Sequence, residues 1–275
     1  MKIIEQFIQG KANDQDLCED MIIVNDHFVC VCDGVTSKSD VTWDGKSSGV
    51  MATILIRQAV CAFPEEITCE QAISHILQQF QDFYRESGRL EHMKMNPLDR
   101  CQACAIIYSR FHNELWMVGD CQAMVNGAQI DTGKALDDIY ANTRALYLEC
   151  EIAAGKTVEQ LLEQDTSRDF ILPLIKKCVV FANSELDSAL CYGVIDGFPI
   201  PEKLIRTVRL LPDAGEIVLA SDGYPVLYPT LAQSEAYLQY LLEIDPLCFR
   251  IYKSAKGINK GNFSFDDRSY VRIIP

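Results

Sequence analysis

The sequence predicts an α+β fold in which an antiparallel sheet carries helices on its outside. Three features predict it: a strand pair near the N-terminus, two amphipathic helices after it, and then short strands joined by tight turns. The strand pair is 21–24 and 28–32, closed by the turn-forming Asn25-Asp26. Residues 36–46 are rich in Ser, Thr, Asp and Gly and read as a loop. Ser47-Ser48 then caps a helix over 49–63, with Met51, Ile54, Leu55 and Val60 on its apolar side. A second helix over 69–87 places Ile73, Ile76, Leu77, Phe80 and Tyr84 at helical spacing.

The strand meander follows at 101–110 and 114–118, joined by the turn His112-Asn113, with a third strand at 122–126 closed by Asn126-Gly127. Residues 131–192 change character. Helical patterns at 157–164 and 170–177, with few β-branched runs, predict a helical insert or flap carried on one domain spanning 1–275. Strands resume at 204–210 and 216–220, before a helix over 231–244 and a last strand at 269–274.

The net charge of −14 argues against a partner with a phosphate backbone, so no nucleic acid is expected. No apolar stretch approaches the roughly 20 residues of a membrane helix, and Met1 to Gly10 has no signal-like block, so no membrane association is expected. Twelve Cys without a secretory segment read as reduced thiols in a cytoplasmic protein. Cys101-x-x-Cys104 lacks the further ligands a structural zinc needs, and the four His are scattered.

The chemistry lies in the acidic residues. Two apolar strands stop at the same pair, Asp33-Gly34 and Asp222-Gly223, and Asp266-Asp267 precedes the last strand. Glu19-Asp20 opens the hairpin whose other strand Asp33 ends, so the two carboxylates are expected close together. A carboxylate and an accessible carbonyl at a strand end suit a hard divalent cation. Taken alone, an Asp-Gly can also mark nothing more than a turn.

The order of the set resembles a known family. Cys18-Glu19-Asp20, Phe28-Val29-Cys30-Val31-Cys32-Asp33-Gly34, Leu115-Trp116-Met117-Val118-Gly119-Asp120-Cys121-Gln122-Ala123, Ile217-Val218-Leu219-Ala220-Ser221-Asp222-Gly223 and Asp266-Asp267-Arg268-Ser269-Tyr270-Val271 span nearly the whole chain. Together they resemble the protein phosphatase 2C family of metal-dependent Ser/Thr phosphatases. The resemblance implies a four-layer α-β-β-α sandwich of two antiparallel sheets flanked by helices. It also implies two Mg²⁺ or Mn²⁺ ions, with a third, weaker position, that activate water against a phosphoprotein substrate. Asp33 would bridge two metals and the Gly34 carbonyl would bind one. Asp222 and Asp266 would complete the coordination of the second metal, Asp20 would act near the first metal, and Asp120 would sit near the third position, shared with Asp222. Asp33 and Asp222 are accordingly the catalytic candidates.

The chain departs from the family pattern at three places. Gln15 stands where an Arg usually grips the substrate phosphate, leaving Lys38 and Lys46 of the following loop as candidate substitutes. No His lies in that loop, and Asp267 replaces a common Asn. These departures motivate a second reading, a catalytically weak phosphatase-like regulatory or binding module. A haloacid-dehalogenase-type phosphatase needs a nucleophilic Asp where this chain has Val31.

Overall fold

The computed structural model describes residues 1–130, 132–212 and 214–275. In chain order the first half holds β1 (Lys2–Gln9), β2 (Asp20–Val24), β3 (Phe28–Gly34), α1 (Ser48–Cys61), α2 (Cys69–Glu86), α3 (Leu90–Met95), β4 (Ala103–Ser109), β5 (Glu114–Val118), β6 (Gln122–Val125) and β7 (Ala128–Ile130). The second half holds α4 (Ala135–Ala153), α5 (Val158–Glu163), α6 (Ser167–Lys177), β8 (Ile205–Arg209), β9 (Ile217–Ala220), α7 (Leu231–Ile244) and β10 (Arg268–Ile274). The strands form two five-stranded sheets, ordered β1-β10-β9-β6-β7 and β2-β3-β4-β5-β8, with every pairing antiparallel.

Alternation along β3 divides its side chains between two cores. Phe28, Cys30 and Cys32 face α1 and α2, where they meet Ala52, Ile56, Ile76 and Phe80. Val29 and Val31 face the other sheet, where they pack with Leu219, Val271 and Ile273. The outer face of that sheet, through Val218, Ala220 and Tyr270, packs on Leu238 and Leu241 of α7. The result is the expected α-β-β-α layering, because each sheet buries both faces.

Local chemistry sets the element ends. Thr68 caps α2 with a reciprocal Gln71 capping box, and Ser47 caps α1 by accepting from Val50 N. The first hairpin turns over Asp26-His27, one residue beyond the expected pair. Asn25 Oδ1 accepts from both His27 N (3.0 Å) and Phe28 N (2.8 Å), which makes Asn25 the closing residue of the turn. Four elements had no counterpart in the sequence reading: β1, which pairs with β10, the short α3 and β7, and the 19-residue α4.

Residue 131, where the expected insert begins, lies outside the described residues. Beyond it α4, α5 and α6 build small cores of their own. Ala145, Leu148 and Leu161 pack with Leu247 and Phe249, and Leu136 and Tyr140 pack with Ile171 and Ile175. The fully buried Arg144 ties α4 to the chain before β10. It donates to the carbonyls of Leu247 (2.7 Å), Cys248 (3.3 Å) and Ser254 (3.3 Å) and to Asp165 (2.6 Å). Among the described residues no helix is long and apolar enough to cross a membrane, and all twelve cysteines are free.

Candidate functional site

Antiparallel register brings the first two carboxylates together: Asp20 opens β2 and is paired directly with Asp33 near the end of β3. The junction is tight. Gly34 N donates to Glu19 O (2.9 Å), and a Cβ on Gly34 would lie 2.5 Å from Gly49 O. Only glycine lets β3 press so closely on the first turn of α1. Glu19 fixes the same corner from the other side: its carboxylate accepts from Ser47 Oγ (2.7 Å) and Thr36 Oγ1 (2.9 Å), and its N–H donates to Asp267 Oδ2 (3.1 Å).

The other sheet delivers the next pair. β9 and β10 are neighbours, and Ser221 N donates to Ser269 O (3.1 Å), so Asp222 and Asp266-Asp267 leave adjacent strand ends. Asp120 follows β5 at Gly119, whose φ of +87° turns the chain where a Cβ would strike Cys104. Asp33, Asp120, Asp222 and Asp266 all line one cleft of about 610 Å³. Asp20 lies behind them, 4% exposed, with neither carboxylate oxygen hydrogen-bonded; Asp222 Oδ1 is likewise buried and unpartnered.

This crowding sets the electrostatics. Burial, then Asp222, Asp20 and Asp266, push the Asp33 carboxyl well above the usual range. Burial also raises Asp20, with Asp267 and Asp266 adding to the rise while the nearby Ser221 and Ser269 hydroxyls offset part of it. Burial and the charges of Asp266 and Asp120 push Asp222 up to about 7. Other carboxylates are held down by lysines. Against the effect of burial, Lys134 holds Asp120 at about 2 through a 3.2 Å pair. Against burial again, Lys256 and Lys11 keep Asp266 below its ordinary value. Lys11 Nζ reaches Asp267 (3.0 Å), Glu19 (3.5 Å) and Asp266 (3.5 Å).

The cleft walls are cationic. Lys38 and Arg168 line it, and each is held by a backbone carbonyl, Thr36 O at 3.2 Å and Ala255 O at 2.9 Å. Among the described residues neither has a carboxylate within ion-pair distance. Burial, followed by the charges of Arg168, Lys134 and Lys256, lowers Lys38 to about 8.

Of the remaining expected residues, Gln15 turns away: its Oε1 accepts from Gly10 N (2.9 Å), and it is not among the cleft residues. Lys46 is exposed in the Trp43–Lys46 turn, outside the cleft. Lys11, Lys134, Arg168 and Lys256 had no sequence signal as site residues and reach the site by the fold rather than by a local motif, whereas Glu19 lay in the quoted Cys18-Glu19-Asp20 segment but had no role assigned to it. Cys104 and Arg110 have the Cys-x5-Arg spacing of thiol phosphatases, but the segment is extended β4, so the two stand roughly 20 Å apart and form no phosphate loop.

The donor set fits a hard divalent cation. It consists of carboxylates and the Gly34 carbonyl, and it includes buried oxygens with no hydrogen-bond partner among the described residues. Among the described residues no three Asp, Glu, His or Cys side chains already stand together as a metal-holding group.

No protein-family model matches the chain, and no curated protein matches it. Solved structures do. The catalytic domain of the serine/threonine phosphatase PstP, in complex with two manganese ions, is 13% identical, with 100% of this chain and 99% of that one covered and a TM-score of 0.48. Stp1 from Staphylococcus aureus is 14% identical over 98% of this chain and 94% of its own (TM-score 0.46). RsbX in complex with magnesium is 11% identical over 98% and 97% (TM-score 0.43). At such identities and scores these likenesses assign no role to any residue here.

Proposed function

We propose that this chain is a divalent-metal-dependent phosphatase acting on phosphoserine or phosphothreonine in proteins, as its resemblance to the protein phosphatase 2C family implies. One observation carries the reading: strand ends from both sheets deliver Asp33, Asp222 and Asp266 to one cleft, with Asp20 directly behind Asp33, and Lys38 and Arg168 on the cleft walls have no carboxylate partner among the described residues. Asp20, Asp33, the Gly34 carbonyl and Asp222 are the groups that would hold Mg²⁺ or Mn²⁺, with the lysine-paired Asp266 beside them. The bound metal would supply water activation and charge neutralisation at the phosphoryl group.

The chain's own contribution is binding and orientation. Lys38 and Arg168 offer charge-assisted hydrogen bonds to the phosphoryl oxygens, from a loop and from α6 respectively. That pair takes the part which the Arg-to-Gln15 replacement leaves open. Among the described residues no His lines the cleft, so imidazole acid–base catalysis has no part.

A second reading, a catalytically weak phosphatase-like binding module, is favoured by the lysine pairs on Asp120 and Asp266. Hydrolysis of p-nitrophenyl phosphate and of a phosphoserine peptide with Mn²⁺ separates the two. The phosphatase reading predicts metal-dependent turnover that Asp33→Asn lowers about a hundredfold or more. Equal inertness of wild type and variant with Mn²⁺ present would sink it.

A further inference from the structure

The carboxylates of the cleft divide into two kinds. Asp266 is paired with Lys256 and Lys11, and Asp120 is paired with Lys134. Asp20, by contrast, has both oxygens buried and unpartnered, and so is Asp222 Oδ1. The acidic end near the β2–β3 hairpin is therefore uncompensated, while the two flanking carboxylates already carry a positive charge.

Neither flanking lysine is a loosely held surface side chain. Lys134 Nζ bridges Asp120 (3.2 Å) and Asp137 (3.3 Å) and lies 4.7 Å from the centre of the Tyr192 ring. Lys256 sits in a pinned segment. The Ser254 carbonyl accepts from Arg144, the Ala255 carbonyl accepts from Arg168, and Ile258 N donates to Pro246 O (3.0 Å). Gly257 packs so closely on Arg144 and Leu247 that a Cβ there would come within 2.9 Å of both.

We propose that Lys256 and Lys134 are tethered cations standing in place of a second and a third metal ion, so that the chain takes one divalent ion tightly, at the Asp20–Asp33–Asp222 end of the cleft. An ammonium is a compact point charge that neutralises a carboxylate as an ion does. A second ion at Asp266, or a third at Asp120, must break an anchored pair and stand beside a like charge that is poorly screened in a buried site. The first ion has no anchored ion pair to break: among the described residues no lysine is paired with Asp20, Asp33 or Asp222, although Lys256 acts on Asp222 from beyond ion-pair distance. Asp20 and Asp33 face each other across the hairpin, and retained waters complete a hard cation's shell. The inference rests on the metal-dependent reading and goes beyond it, in fixing how many ions bind and which residues limit them.

Calorimetric titration with Mn²⁺, cross-checked by the loss of the free-ion paramagnetic resonance signal, counts ions without requiring turnover. Wild type, Lys256→Gln and Lys134→Gln are compared, each shown folded by its thermal melt, and either variant alone suffices. The expected result is one tight ion for wild type and a second in a variant, at least about tenfold tighter than any second binding event of wild type. Two ions of comparable affinity in wild type, or one ion in all three proteins, overturns the lysine assignment and leaves metal dependence standing. No ion in any of the three overturns both.

Discussion

Replacing Gly34 by Ala forces the end of β3 away from the first turn of α1, and the structure sets the scale. The new Cβ would stand 2.5 Å from Gly49 O, 2.6 Å from Gly49 C and 2.7 Å from Glu19 O, where ordinary contact begins at 3.4 Å. The shortfall is about 0.9 Å, and every atom in the way is backbone, so no rotamer change relieves it. Overpacking of this kind costs about 1–3 kcal/mol, and the upper end applies when main chain must move; about 3 kcal/mol is expected. Gly49→Ala meets a softer obstacle, Glu19 Oε1 at 2.5 Å, which can swing aside by surrendering its bond to Ser47. That loss of about 1–2 kcal/mol is partly offset by the better helix propensity of Ala. Gly88→Ala meets nothing within 4 Å and carries only the strain of φ +68°, about 1 kcal/mol. Urea unfolding followed by circular dichroism ranks the three. The reasoning is refuted if Gly34→Ala lies within about 1 kcal/mol of wild type, or proves milder than Gly88→Ala.

Three further outcomes follow from the cleft and its supports. Arg168→Gln should raise KM for a phosphopeptide about tenfold with a smaller change in kcat, as steady-state kinetics would show, because it removes a charged donor to the phosphoryl group. Lys38 is charged only below its lowered value of about 8, so wild-type kcat/KM should fall as pH rises through that value. Lys38→Met should flatten that alkaline limb; an unchanged profile would remove Lys38 from substrate binding. Arg144→Met takes the charged donor from three carbonyls and leaves Asp165 with only its Ser167 bonds, and denaturant titration should show a loss of about 3 kcal/mol.

Much of the framework was legible because its signals are local. Runs bounded by turn residues marked β3, β4 and β5, a capping Ser47-Ser48 marked α1, helical spacing of apolar residues marked α2, and the 231–244 helix coincides with α7 in both its ends. β1 escaped because its half-buried, partly charged alternation draws its meaning from β10, more than 250 residues away. The 19-residue α4 escaped because it buries only a narrow face against α6 and the segment around Leu247.

The acidic floor was readable from strand ends followed by Asp-Gly, and hairpin register put Asp20 beside Asp33. The cations were not. Gln15 was expected near the phosphate because the family resemblance implies a phosphate-gripping residue at that position, but it lies in a short helical turn over Gln15–Leu17 and accepts from Gly10 N. Lys11 reaches the carboxylates instead. Lys134, Arg168 and Lys256 look like any surface lysine or arginine in the sequence, and only the fold of 132–177 and 245–267 brings them to the cleft.

The central claim is that the Asp20–Asp33 hairpin end, with Asp222, forms the metal-holding heart of a phosphatase. Diffraction from Mn²⁺-soaked crystals, recorded at a wavelength where manganese scatters anomalously, tests it most directly. The account predicts an anomalous peak bound by Asp33. A map with no peak at Asp20, Asp33 and Asp222, from crystals soaked at millimolar Mn²⁺, would contradict it.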